Sequence, residues 1–401
     1  MDDYGGATVK WASSISTLPS LDQAVEEATA ALRTQLGDTP DLIVAFVSPI
    51  YSASSTLSER LRQVFPGARV IGCTAGGVAG GGREVEQDVG LSLTAAVLPD
   101  VGVEICHLSG EQLPEEDDDP EVWRALIGLE PEHQPSFLLL PDPFSFDTGA
   151  LLAGLDRAYP SAPKVGGLAS GGRRPGEHSL FVDDMVHNSG CVCVALYGDV
   201  RMDTVVAQGC RPIGIPFTVT RGHQNLIYEL NNQKVLTTLE ILFNKLTPRE
   251  QALFRRSPML GLAIDSTKKP LRQGDFLVRA VQGVSRQSGA LALSGEVERG
   301  QVVQFHVRDA ASSAHDLNEL LDRHQRQHPE PLAGALMFNC LGRGKLFYGQ
   351  EDHDTKAFGE LMGAAPLGGF FCSGEIGPVH AQTFLHGYTC ALALFRPRGW
   401  S

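Results

Sequence analysis

The sequence predicts an α/β protein of two domains, with mixed β-sheets flanked by helices and built from repeated strand–helix–strand units. Three observations support this prediction. The chain has 401 residues, more than a single domain usually holds. Short apolar runs typical of buried strands alternate with helical periodicity. One strand–helix–strand pattern, with glycines at the same places, recurs along the chain.

The first elements follow from apolar spacing. Residues 21–36 place their apolar side chains on one helical face, and Gly37 follows where glycine usually ends a helix. DLIVAFVSP then predicts a strand that is buried on both faces. SSTLSERLRQVF predicts a second helix, and GARVIGCTAGG predicts the next strand and its turn. LSLTAAVL and VGVEICHL complete the region as two further strands.

The same pattern then returns. SFLLLPDP, DTGALLAGLDRAYP and KVGGLASGG predict a strand, a helix and a strand that runs into glycine. VGGLASGG matches VIGCTAGG when Gly167 is aligned with Gly72 and Gly171 with Gly76. Two such units indicate an internal repeat.

A third copy is present in outline near the C-terminus. GALMFNCLGRG predicts a strand, DTKAFGELMG a helix, and PLGGFFCSGEIGP a strand that ends in Cys-Ser-Gly. This comparison places Cys372 and Ser373 where Cys73 and Thr74 lie in the first copy. It therefore predicts three related strand-end turns.

Charge and cysteine usage exclude several classes of function. The formal net charge of −14 disfavours nucleic-acid binding, because such a field repels phosphate backbones. No apolar run reaches the roughly 18–20 residues of a membrane span, and the N-terminus lacks the apolar segment of a signal peptide. The eight cysteines form no C-x-x-C pair. We therefore expect a cytoplasmic protein with reduced thiols and no membrane insertion.

A family resemblance rests on an ordered series of motifs: IGCTAGGV, VGGLASGG, CRPIG, NNQKVLTTLEIL, FNCLGRG and GGFFCSGEIGP. This series resembles the FIST proteins. The resemblance implies a lead-in and helix at residues 1–39, a FIST N-terminal domain at 40–225 and a FIST C-terminal domain at 226–398. It also implies a stand-alone sensory protein that binds a small polar ligand, such as an amino acid, and signals through a partner protein.

The glycine turns allow three interpretations. They could cradle a phosphate, pack closely at a strand end, or line a small-ligand pocket, since open α/β sheets bind ligands at strand ends. Neither a G-x-x-x-x-G-K-[ST] string nor a G-x-G-x-x-G string occurs at these turns. We expect ligand contacts from two groups of residues: Cys73, Thr74, Gly76, Gly167 and Ser170 in the first two copies, and Asn339, Arg343, Cys372, Ser373 and Glu375 in the third.

Charged residues within apolar surroundings are the most informative members of this set. Glu375 could bind the ammonium group of an amino acid while Arg343 binds its carboxylate. A structural ion pair between the two remains an alternative. Asp142, Asp147, Ser170 and His386 are weaker candidates of the same kind.

Two other classes of function stay open. Cys340 or Cys372 could act as a nucleophile with His386 as its base, although buried and inert cysteines are common. A protein–protein scaffold without a ligand is the other class. We expect no cofactor.

Histidine spacing offers one possible metal site. His324 and His328 are four residues apart on a predicted helix, but two imidazoles alone make an incomplete zinc site. We therefore expect these side chains to face solvent, and no metal to bind.

Overall fold

A computed structural model describes residues 9–51, 54–115, 118–285 and 287–400. The chain forms two compact units. The first comprises the residues up to Val206, Leu317–Leu385 and the segment from Thr389 onward; the second comprises Ala207–Asp316 and His386–Tyr388. The predicted α/β fold with mixed sheets and two domains is confirmed. No helix in the described ranges is long and apolar enough to cross a membrane.

The first repeat begins with a strand that the sequence analysis did not predict. This strand lies in the segment assigned to the lead-in, and residues 1–8 of that segment lie outside the described residues. Its elements are β1 (Lys10–Ser16), α1 (Leu21–Leu36), β2 (Leu42–Val47), α2 (Leu57–Val64), β3 (Arg69–Thr74), β4 (Gly77–Gly80), β5 (Arg83–Glu86) and β6 (Leu91–Val97). Helix α1 ends as predicted. Gly37 adopts the left-handed conformation with φ 69°, and its N–H donates to the Arg33 carbonyl.

The second repeat has the same order of elements. These are β7 (Val101–Leu108), α3 (Pro120–Ile127), β8 (Ser136–Pro141), α4 (Thr148–Ala158), β9 (Lys164–Gly167), β10 (Leu180–Val182), β11 (Met185–His187) and β12 (Cys191–Gly198). Asp147, a weak site candidate, caps α4, since its carboxylate accepts a hydrogen bond from the Ala150 N–H at 3.0 Å.

The third repeat is interrupted by the second unit. It opens with β13 (Arg201–Gln208), after which the second unit contributes β14 (Cys210–Pro212), β15 (Phe217–His223), β16 (Leu226–Leu230), β17 (Gln233–Lys234), α5 (Val235–Lys245), α6 (Pro248–Arg256), β18 (Pro258–Ala263), β19 (Phe276–Val284), β20 (Leu291–Leu293) and β21 (Val302–Arg308). Within this unit β21 pairs with both β15 and β18, so six antiparallel strands close into a barrel around an apolar core.

The remaining elements complete the third repeat. They are α7 (Ala310–Gln327), β22 (Gly334–Cys340), α8 (Lys345–Tyr348), α9 (His353–Met362), β23 (Leu367–Cys372), β24 (Glu375–Val379), β25 (Gln382–His386) and β26 (Thr389–Arg396). The boundary predicted between residues 225 and 226 stays a prediction.

The three repeats exchange hairpins in a cycle. In the described part of the chain, their sheets have matching strand orders: β1-β6-β2-β3-β10-β11, β7-β12-β8-β9-β24-β25 and β13-β26-β22-β23-β4-β5. The hairpin after β3 joins the third sheet, the hairpin after β9 joins the first, and the hairpin after β23 joins the second. Each repeat therefore needs a neighbour to complete its sheet, and the three repeats belong to one compact unit.

One glycine in each repeat fixes the register of the central parallel strands. The three paired positions are Ala45 with Gly72, Leu139 with Gly166, and Met337 with Gly369. A Cβ atom on any of these glycines would overlap the carbonyl oxygen of its partner. These three glycines are therefore the equivalent positions of the repeats.

This register corrects the sequence alignment of the repeats. Gly72 is equivalent to Gly166, not to Gly167, so the predicted alignment is wrong by one residue. In the third repeat, Cys372 is equivalent to Ala75 and not to Cys73. The sequence alignment matched the glycines of the turns. The register of the parallel strands is instead fixed by the glycine that lies against the carbonyl oxygen of its paired residue.

The largest core cluster of the first unit contains side chains from the central strands of all three repeats. Phe46 of β2 stacks on Phe370 of β23 with ring centroids 4.4 Å apart, and Phe338 of β22 contacts both rings edge-on. Leu140 of β8 belongs to the same cluster. The strand ends that carry the predicted site residues are thus held against one shared core.

Candidate functional site

The three strand-end turns bond to one another. The Leu168 N–H donates to the Gly374 carbonyl at 2.8 Å, and the Ser170 N–H donates to the Thr74 carbonyl at 3.1 Å. The Gly76 N–H donates to the Ser170 hydroxyl oxygen at 2.9 Å. The Ser170 hydroxyl in turn donates to the carbonyl of Phe371. The structure therefore brings together the turns that the sequence identified as related.

Most of the predicted contact residues at these turns lie below the surface. The buried ones are Cys73, Thr74, Gly167, Ser170 and Cys372. Gly76 is half-buried and Ser373 is exposed. Leu341 lies between Gly76 and Ser373, and its side chain is 46% exposed. It lies 2.9 Å from where a Cβ on Gly76 would stand, and its N–H donates to the Cys372 carbonyl. We call Gly76, Leu341 and Ser373 the mouth.

Close packing explains the glycine at one of these turns. A Cβ atom on Gly167 would overlap the Cys372 sulfur. The glycine therefore allows two repeats to approach each other, which agrees with the strand-end packing interpretation.

Arg343 has a different partner from the one considered in the sequence. Its Nε donates to Asp354 Oδ2 at 2.9 Å and its guanidinium donates again to Oδ1 at 3.0 Å, with both side chains fully buried. Asn339 and His353 lie 2.8 Å from the same carboxylate. Two of the guanidinium nitrogens are therefore engaged by Asp354, a carboxylate that the sequence analysis did not consider.

The charge of Asp354 is stabilised within this cluster. Burial opposes its ionisation, but the Arg343 guanidinium and the hydrogen bonds from His353 and Asn339 outweigh burial and hold the pKa of the carboxyl well below its usual range. Sequence reasoning missed Asp354, because an acidic residue in the first turn of a helix is normally an exposed one.

Glu375, the first residue of β24, is fully buried. Its Oε2 accepts a hydrogen bond from the Thr389 N–H at 3.0 Å. Burial raises the pKa of Glu375 to about 8, against the opposing effects of Thr389, Cys340 and the Arg343 charge. A pKa of about 8 favours the neutral carboxylic acid over the carboxylate at pH 7.

Three buried oxygens near this carboxyl have no hydrogen-bond partner among the described residues: Asn339 Oδ1 on β22, Glu375 Oε1 on β24 and Thr389 Oγ1 on β26. Buried polar atoms in native proteins nearly always have a partner. These atoms lie on three strands of the same repeat. Together they define a polar cluster that can accept hydrogen bonds. We call Asn339, Cys340, Glu375 and Thr389 the polar cluster.

The cysteines proposed as nucleophiles lie in unequal surroundings. Burial raises the pKa of the Cys372 thiol well above its usual value, which disfavours the thiolate. Cys340 lies at the end of β22, where its sulfur accepts a hydrogen bond from the Gly342 N–H at 3.4 Å. His386, the proposed base, is buried and belongs to the second unit.

Asp142 forms a buried pair with a histidine that sequence reasoning did not select. His178 Nδ1 lies 2.7 Å from Asp142 Oδ1, and both side chains are fully buried. The Gly172 N–H donates to His178 Nε2 at 3.1 Å, and the Ser145 hydroxyl donates to Asp142 Oδ2 at 2.6 Å. Because Nε2 already accepts a backbone hydrogen bond, the pair holds the turn after β9 in place.

The predicted exposure of two histidines is wrong for one of them. His324 is buried, with 7% of its surface exposed, and His328 is half-buried. The reason is that this end of α7 contacts Asp203 of β13: His324 Nε2 lies 3.3 Å from Asp203 Oδ2.

The first unit consists of three α/β repeats, and the sequence of the barrel interrupts the third of them. The strand ends of this unit carry the buried polar cluster. The FIST N domain matches residues 41–233 and the FIST C domain matches residues 238–378. The chain belongs to the FIST family. FIST domains are regarded as sensory domains that bind small ligands.

The relatives found by sequence comparison have no assigned function. An uncharacterized protein of Mycobacterium tuberculosis is 38% identical over 387 residues, which cover 95% of this chain and 98% of the relative. An uncharacterized protein of Mycobacterium bovis is 36% identical over 386 residues, which cover 95% and 97%. A solved cyanuric acid hydrolase from A. caulinodans shares 9% identity at a TM-score of 0.34, over 97% of this chain and 99% of that one. A TM-score of this size assigns neither fold nor function.

Proposed function

We propose that this protein binds a small polar metabolite with an amino group, such as an amino acid, at the polar cluster beneath the mouth. The observation that carries the proposal is the Glu375 carboxyl, which is fully buried and has one oxygen without a partner. Burying a polar atom without a hydrogen bond costs free energy. A ligand donor that supplies the bond would recover that free energy.

Two residues of the mouth lie close in sequence to the polar cluster. Leu341 of the mouth directly follows Cys340, and Ser373 lies two residues before Glu375. Leu341 and Ser373 are both exposed, whereas Cys340 and Glu375 are buried. We therefore propose that a ligand reaches the cluster from the side of Leu341 and Ser373.

An amino group suits Glu375 better than an anionic group does. Once Glu375 loses its proton, its carboxylate can accept hydrogen bonds from an ammonium group and form an ion pair with it, whereas it would repel an anion. The Arg343 guanidinium is fully buried and already donates two hydrogen bonds to Asp354, so we do not assign it to a ligand carboxylate. An amine without a carboxylate should therefore bind about as well as the parent amino acid.

A thermal-shift series tests this proposal. The full chain is heated with each of the common L-amino acids and with the amine that corresponds to each, because a ligand that binds only the native state raises its stability. Glu375→Gln should lose the shift, while Glu360→Gln, which changes an exposed acid on α9, should keep it. The same shift in both variants would place the site elsewhere. No shift from any compound would refute the proposal.

Proton linkage gives a second test. If an ammonium ligand binds the ionised form of Glu375, binding releases the proton held with a pKa of about 8. The affinity should then rise about tenfold per pH unit up to that pKa. Calorimetry in buffers of different ionisation enthalpy measures the released proton directly. An affinity that does not change with pH would rule out an ion pair with Glu375.

Signalling to a partner protein and a cytoplasmic location complete the proposal. The family assignment supports a sensory role, and affinity capture with and without an active compound from the thermal-shift series would test whether occupancy changes partner binding.

A further inference from the structure

Three potential metal ligands converge between β13 and the C-terminal end of α7. Asp203, His324 and His328 each present one ligand atom, and these three atoms lie within 4.8 Å of one another. The two histidines are four residues apart, which brings their side chains to one face at the end of the helix. Asp203 lies 121 residues before His324 in the sequence.

We propose that Asp203, His324 and His328 bind a divalent transition-metal ion, zinc first among them. Two imidazoles and one carboxylate form a three-ligand set that leaves coordination positions for water or another ligand. Two histidines alone are too few for a zinc site, and the fold supplies the third ligand from β13.

The arrangement needs only a small adjustment to accept zinc. Zinc bonds of about 2.0–2.1 Å in a tetrahedral site place ligand atoms about 3.3 Å apart. His324 Nε2 and Asp203 Oδ2 are already 3.3 Å apart. The His328 ring, with its centroid 4.9 Å from that of His324, is half-buried, so rotation of this ring can close the remaining gap.

Two arginines hold the carboxylate ligand in place. Arg396 donates to Asp203 Oδ2 at 2.6 Å, and Arg201 donates to Oδ1 at 2.8 Å. Hydrogen bonds to a ligating carboxylate fix its orientation, as is usual around metal ligands. Their positive charges also repel a cation, so we expect weaker binding than at a closed structural zinc site.

Cobalt titration of the full chain, freed of metal by chelator, tests the proposal. Co²⁺ gives visible absorption that depends on coordination geometry, and Zn²⁺ should displace it. We expect one equivalent to bind, and His328→Ala to weaken binding by at least about tenfold. His328 is half-buried at the helix end, so this variant should fold, and circular dichroism checks that it does.

His315→Ala provides the matched control, because it removes an exposed histidine from the same helix. It should bind cobalt as the wild type does. Equal binding by wild type and His328→Ala, or no binding by wild type, would overturn the metal site. Neither outcome bears on ligand binding at Glu375, which is tested separately.

Discussion

Arg343 and Asp354 form a two-point ion pair in which neither side chain is exposed. The pair joins the loop after β22 to the first turn of α9. Asn339 and His353 also bond to the carboxylate, so its charge is well compensated. The guanidinium that sequence reasoning assigned to a ligand thus belongs to the structure of the repeat.

Removal of one member of this pair should strongly destabilise the first unit. Arg343→Met leaves a buried, unpaired carboxylate, and such changes cost about 3–5 kcal/mol. Urea unfolding at pH 7 measures the loss. Lys345→Met is the matched control, since it breaks an exposed pair with Glu351, and it should leave the midpoint unchanged. Equal midpoints for the two variants would mean that the buried pair contributes nothing.

Glu375 should make stability depend on pH with a definite sign. Its pKa rises from an ordinary 4.5 to about 8 in the folded state, so the folded state holds a proton that the unfolded state releases. The contribution of this proton to the free energy of unfolding is complete below pH 4.5. It is lost as pH rises toward 8, by up to about 1.4 kcal/mol per pH unit. Above pH 8 the loss levels off.

Glu375→Gln cannot ionise and should therefore lose this pH dependence. Burial also raises the pKa of Glu84, to about 7, so the interval from pH 7 to 8 reports mainly on Glu375. Urea unfolding at pH 6, 7, 8 and 9 measures the difference between variant and wild type. Glu84→Gln should instead flatten the profile below pH 7. Parallel profiles for wild type and Glu375→Gln would contradict a buried neutral acid.

Local signals in the sequence predicted individual elements well, but they did not predict how the repeats combine. The helix at 21–36 and its end at Gly37 follow from apolar spacing and one glycine. The exchanged strands β4, β10 and β24 are only three to five residues long. Their partners lie in another repeat, and short apolar runs do not specify which edge they join.

The candidate site was predictable only in part, for a related reason. Asn339 and Glu375 were found because they interrupt apolar strings, and Arg343 was considered as a charged partner for Glu375. Asp354 and Asp203 were missed, because the first lies in an ordinary helix turn and the second in a polar stretch of β13. Their importance arises from side chains that are distant in sequence, and no local pattern carries that information.

The register glycines should tolerate no side chain. Gly166→Ala places a Cβ against the Leu139 carbonyl oxygen, and the backbone of a central strand cannot move away without breaking its hydrogen bonds. We expect little folded protein, measured as the folded yield after expression. Gly359→Ala is the control, because a Cβ at this exposed helical position meets nothing within 4 Å. It should stabilise the chain by about 0.5–1 kcal/mol. Normal yield of Gly166→Ala would show that the strand register can shift.

Cys106 should be the most reactive thiol of the first unit. Cys106 is half-buried, whereas the other cysteines of this unit are buried, so its sulfur is the one that a reagent reaches most readily. Burial raises the pKa of Cys73, Cys372 and Cys390 well above the usual value. The thiolate is the reactive form, so brief alkylation of the native protein should label Cys106 first and leave these three unmodified until unfolding.

Peptide mass spectrometry after timed alkylation measures the order of labelling. Cys106→Ser should remove the fast phase, whereas Cys340→Ser, which changes the thiol that precedes Leu341 of the mouth, should retain it. Fast labelling at Cys340 or Cys372 would instead show an activated thiol at the strand ends. A nucleophilic enzyme would then account for this chain better than a ligand sensor, because a binding site built on a neutral Glu375 has no use for a thiolate.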